Sequence, residues 1–143
     1  PESFVKSITT GRTFEEVKPG TFAEQIKCMC WESFDNGTWE GNGQELYSTG
    51  KAKLEDIIAN REDVYEYFIA HDIDRTEAFN IVQDIMLGRI NREGWDKETL
   101  AMLTQADIPE WYIQSCEKII GLSSRIGAIT MLKHFGQHVG KGK

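Results

Sequence analysis

The 143-residue sequence predicts an all-α protein, a compact bundle of about six short helices with an irregular N-terminal segment and a Gly/Asn-rich loop. Three observations carry that prediction. Apolar residues recur at helical spacing, as in Ala78, Ile81, Val82 and Ile85 at i, i+3, i+4 and i+7. Capping residues stand just ahead of these stripes. No stretch alternates apolar and polar residues as a half-buried strand would. The length suits one domain with a single modest core, and no internal repeat or low-complexity tract divides it.

Taken in order, residues 1–20 are the least regular, with β-branched residues, Gly11, Gly20 and no clear period. Thr21-x-x-Glu24 has capping-box spacing and opens the first helix. Asp35 to Gly43 is dense in Gly and Asn, which tolerate positive φ, so it reads as loop. Asn60-x-x-Asp63 is a weaker box ahead of the stripe Val64, Tyr67 and Phe68. Asp74-x-x-Glu77 opens the helix that carries Ala78 to Ile85. A turn at Asn91-Arg92-Glu93-Gly94 leads to a short helix marked by Leu100 and Leu103. Asp107 is placed to cap the next helix, with Pro109 in its first turn and Tyr112, Cys116 and Ile119 on its buried side. Residues 121–143 read as a basic tail.

Composition excludes several functions. The formal net charge of −7 argues against an autonomous nucleic-acid binder. The imbalance is uneven: the first 116 residues hold 11 basic and 22 acidic groups, whereas from Glu117 onward five basic residues face one acid. Such a tail could touch a phosphate backbone; a solvated, fraying end is the preferred reading. No apolar run approaches the roughly 20 residues that span a bilayer, and no signal-peptide pattern opens the chain, so a cytoplasmic location without membrane contact is expected. The start at Pro1 suggests an excised piece. Cys28 and Cys30 point to nearly opposite sides of a helix, and together with Cys116 are expected as buried reduced thiols. His134-x-x-x-His138 has metal-compatible spacing but no third ligand, so no metal is expected. Gly-x-Ser-x-Gly, Walker-type and dinucleotide glycine patterns are absent.

Three blocks carry a resemblance. Pro109-Glu110-Trp111-Tyr112-Ile113-Gln114-Ser115-Cys116-Glu117-Lys118-Ile119 is similar to a Pro-Glu-Trp-Tyr-Ile-x-Ser-Cys-x-Lys-Ile segment of the C-family bacterial replicative DNA polymerases, the PolC-type polymerase III α subunit. Trp39-Glu40-Gly41-Asn42-Gly43-Gln44-Glu45-Leu46 resembles the family's Trp-x-Gly-Asn-Ala-Gln-Glu-Leu. Arg61-Glu62-Asp63-Val64, followed by Tyr67, resembles its Arg-Asp-Asp-Ile stretch. The blocks run in family order from about Pro19 to Ile119 and correspond to the fingers, which close over template and incoming nucleotide.

The resemblance implies a part of a DNA-directed DNA polymerase that positions primer–template DNA and dNTP. Replication proteins are possible further partners. The metal-binding palm lies upstream, so the chain is expected to have no catalytic residue and no polymerase activity of its own. Mg2+ is expected only in the palm of a parent polymerase. The implied nucleotide- and DNA-binding residues are Arg61, Arg89, Ser33, Lys118 and Arg125, to be tested by whether the four cations converge on one concave face. Two departures stand against this. The family's Ser-His-Gly-Thr-Asp becomes Ser33-Phe34-Asp35-Asn36-Gly37, placing an acid where a triphosphate would lie. The family's Phe-Pro-Lys-Ala-His becomes Ser123-Ser124-Arg125-Ile126-Gly127, which removes a His side chain. They favour the alternative, a non-catalytic helical interaction module on the polymerase scaffold, for which an exposed aromatic patch at Trp31, Phe34 and Trp39 would speak.

Overall fold

The computed structural model describes residues 12–141, with side chains through His134. Among the described residues the fold is all-α; the isolated bridge between Asn60 and Ser123 is its one β pairing. Nine α-helices form there rather than about six. Three of the additional ones, α1 (Arg12–Val17), α3 (Gln44–Ser48) and α6 (Arg89–Glu93), are too short to show an apolar period. The others are α2 (Phe22–Ser33), α4 (Arg61–Ala70), α5 (Arg75–Met86), α7 (Lys97–Gln105), α8 (Glu110–Glu117) and α9 (Arg125–Lys141).

The caps explain the starts. Thr21 accepts the Glu24 N–H, while the Glu24 carboxylate reaches back to the Gly20 N–H, one residue further than a standard box. Asn60 likewise accepts from Asp63, whose own carboxylate takes the Ala59 N–H. Asp74 caps α5 through the Thr76 and Glu77 N–H groups. Asp107 does not act as predicted. It lies at φ 61°, closing the turn after α7, and Pro109 takes the N-cap position of α8 without a side-chain hydrogen bond.

Two more sequence readings change. Of the irregular N-terminal segment, residues 1–11 lie outside the described residues, and the rest contains α1, whose Val17 enters the core. The C-terminal stretch forms α9 rather than a frayed tail. Ala128 and Leu132 seat it against α2 in a buried cluster.

Among the described residues there are two cores rather than one. The larger joins α4, α5, α7 and α8 through residues such as Phe68, Ile85, Leu103 and Tyr112. The second joins α1, α2 and α9 around Met29, Trp31 and Trp39. Residues 57–60 run between them. Ile57 and Ala59 face the second core and Ile58 the first, as period-two alternation requires. The Ile58 carbonyl accepts the Trp31 indole N–H at 3.0 Å.

Candidate functional site

Of the five candidate residues, Arg61 and Arg125 lie near the same end of α4, and the other three occupy different neighbourhoods. Arg61 opens α4, half exposed, with its Nε 3.2 Å from Glu62 and its backbone N–H on the Ser123 carbonyl. Arg125 opens α9 and faces the same end of α4. Its guanidinium donates to Glu66 through both terminal nitrogens, at 2.8 and 2.9 Å, and to Asp63 at 2.9 Å. The Glu66 hydrogen bond, then Asp63, raises the guanidinium pKa further above its already high value. Arg89 contacts Asp84 at 3.3 Å and Glu93 at 3.6 Å. Lys118 donates to the Gly41 carbonyl at 3.0 Å. Ser33 bonds back to the Met29 carbonyl at 2.6 Å, inside its own helix. All three arginines therefore face carboxylates, and Lys118 faces a neutral acceptor.

Asp63 is the centre of a network that the linear sequence hides. Its second oxygen accepts from buried Lys27, which also donates to the Ile57 carbonyl at 2.6 Å. One carboxylate thus ties α2, α4 and α9 together. Lys27 escaped notice because a charged residue in a capped amphipathic helix reads as solvated, whereas here it is 8% exposed.

The loop after α2 is ordered by Asp35. One carboxylate oxygen accepts the Thr38 and Trp39 N–H groups and the other the Glu40 N–H, at 2.9–3.2 Å. The acid that would repel a triphosphate is occupied in holding the loop. Gly37, at φ +87°, lets this loop touch the end of α8: a Cβ there would stand 2.2 Å from the Lys118 carbonyl oxygen. Buried Asn42 completes the joint. Its amide donates to the Gly37 and Ser115 carbonyls at 2.7 and 3.0 Å, and its oxygen accepts the Ser115 hydroxyl at 2.6 Å. Two blocks 73 residues apart are therefore one structural unit. No sequence signal paired Asn42 with Ser115, because the contact spans 73 residues.

Arg61 and Lys118 line separate clefts. The first is largely apolar, with Tyr65, Phe79, Val82 and Met86. The second, about 430 Å³, lies between α3 and α8 and includes Leu46, Lys51, Trp111, Gln114 and Lys118. The aromatic patch expected at Trp31, Phe34 and Trp39 is mostly internal: Trp31 and Trp39 are buried with ring centroids 4.4 Å apart, and only Phe34 is exposed.

All three cysteines are buried free thiols. Desolvation, then the nearby Glu24 and Glu32 charges, pushes Cys28 up to about 12; burial likewise raises Cys30 and Cys116. Among the described residues no group of three or more His, Cys, Asp or Glu could hold a metal ion, and no helix is long and apolar enough to cross a membrane. His138 lies outside the residues whose side chains are described.

No protein-family model matches the chain. Individual relatives do. It is 34% identical over 105 residues to DNA polymerase III PolC-type proteins of Oceanobacillus iheyensis and Bacillus cereus, and 32% identical over the same length to that of Staphylococcus aureus. Each match covers 73% of this chain and 7% of the relative, so the chain corresponds to a small part of those proteins.

Proposed function

Because the chain is a relative of the PolC-type DNA polymerase III proteins, we propose that it serves as part of a DNA-directed DNA polymerase, helping to position template DNA and incoming dNTP. The 105-residue similarity carries this reading. The tight joint between the Trp39 and Pro109 blocks supports it, because a positioning surface has to be rigid. Among the three candidate arginines, Arg61 is the best placed for the role. Its one acidic partner among the described residues is its partly exposed neighbour Glu62, and surface pairs of that kind are worth at most about 1 kcal/mol, so an anion can displace it. Nucleotidyl transfer would need metal-binding carboxylates from elsewhere in a polymerase.

A second reading, a non-catalytic helical interaction module on the same scaffold, is favoured by Arg125. The residue that stands for the family's Lys is held by Asp63 and Glu66 and contributes to the packing of α9.

Titration of the chain with labelled primer–template DNA, dNTP and Mg2+ at low salt separates the two. Positioning predicts saturable binding that falls steeply with salt and is weakened by Arg61→Ala. Absence of binding even at about 50 mM salt, where phosphate contacts are strong, would favour the interaction module.

A further inference from the structure

We infer that the cleft between α3 and α8 is a binding site for a nucleotide unit, with its ring against Trp111 and its phosphate reached by Lys51 and Lys118. This deepens the polymerase-related reading and rests on it for the relevance of the ligand. The chemistry comes from the cleft. Its volume of about 430 Å³ falls within the roughly 300–1,000 Å³ usual for small-molecule sites. Two ammonium groups and one carboxylate, Glu45, line it, in a chain whose net charge is −7. Lys51 makes no ion pair among the described residues, and Lys118 contacts only the Gly41 carbonyl. Their charge is thus left for an anion, unlike that of Arg61, Arg89 and Arg125.

The remaining lining fits a base. Trp111 is partly buried against the larger core, which fixes its ring while leaving part of it in the cleft. An aromatic face accepts any base by stacking. Gln114 is exposed on the same helix and can meet a base edge through its amide. Asn42 and Ser115 hydrogen-bond to each other and form a stiff back wall rather than ligand contacts.

The test is calorimetric titration of the chain with deoxyadenosine monophosphate and, separately, with a short oligothymidylate, both without Mg2+, while the Trp111 indole resonance is followed by NMR. Saturable binding is expected, with a shift of that resonance. Lys51→Ala combined with Lys118→Ala should weaken it by roughly tenfold, as expected for two lost phosphate contacts. Both side chains are exposed, so the variant should keep its helical circular dichroism. Binding of the monophosphate assigns the site to a free nucleotide; binding of the oligonucleotide alone assigns it to a strand. Unchanged affinity in the double variant, or no binding of either probe at about 50 mM salt, overturns the site. If primer–template binding depends on Arg61 while the lysine variant is silent, the cleft fails alone. If the cleft binds nucleotide while primer–template does not bind, the polymerase reading fails alone.

Discussion

Asn42 and Ser115 show how two side chains can hold together segments 73 residues apart. Both are nearly inaccessible to solvent, so each polar atom must find its partner within the protein. Asn42→Ala would orphan the Ser115 hydroxyl and two carbonyls, and is expected to cost about 2–4 kcal/mol; Ser115→Ala removes one bond and should cost about 1–2 kcal/mol. Because the residues share that bond, the double variant should lose less than the sum, by about 1 kcal/mol. Urea denaturation of the four proteins measures this coupling. Strict additivity would mean that the two residues act independently and that the joint is held elsewhere.

At the level of elements, the loop Asp35–Gly43 depends on backbone conformations that a side chain opposes at two positions. Gly41, at φ +74°, has no atom within 4 Å of the place a Cβ would take, so Gly41→Ala should cost only the conformational penalty, about 1–2 kcal/mol. Gly37 has a similar φ and also the Lys118 carbonyl in contact, so Gly37→Ala should cost roughly 2–5 kcal/mol by adding overpacking. Equal thermal shifts for the two variants would show that the close approach to α8 contributes nothing. These elements were unequally legible in the sequence. The stripe Ala78, Ile81, Val82 and Ile85 is buried throughout, because a long amphipathic helix announces its period. The Gly/Asn-rich stretch was visible from its glycines, but not the π-helical turn that Trp39–Gly43 forms within it, nor its attachment to α8, which depends on contacts between distant residues. Helix α9 was missed because Gly127, Gly136 and Gly140 lower helix propensity, although Ala128 and Leu132 seat it. Among the candidate site residues, the cations could be named from sequence, and a neighbouring acid was in view for Arg61, but the partners of Arg125 and Lys118 were not. Arg61 and Arg89 met the local acids Glu62, Asp84 and Glu93, whereas Arg125 met Asp63 and Glu66, which read as a cap and a polar face until folding brought them to it.

Across the whole molecule, the two cores are joined tightly enough to behave as one. Residues 57–60 supply side chains to both, Trp31 in one bonds to Ile58 in the other, and Asp63 ties three helices across the boundary. Opening either core would break these shared contacts, so unfolding should be a single transition. Alkaline pH tests this, because each core holds buried thiols, Cys28 and Cys30 in one and Cys116 in the other. The folded-state pKa of Cys28 is raised from 9.0 to about 12, so the neutral thiol is favoured in the folded protein. Its stabilising contribution is complete below about pH 9, where neither state ionises. It declines as the unfolded thiol ionises and is lost as pH passes about 12. Cys116 shifts in the same direction. Urea midpoints measured between about pH 8 and 11 should therefore fall with rising pH. The midpoint from far-ultraviolet circular dichroism should match that from indole fluorescence in a Trp95→Phe/Trp111→Phe variant, whose remaining tryptophans, Trp31 and Trp39, both report on the second core. Separate midpoints would show that residues 57–60 do not couple the cores. A Cys28→Ala variant should have a shallower decline above pH 9; an unchanged slope would remove Cys28 as a source of the alkaline sensitivity.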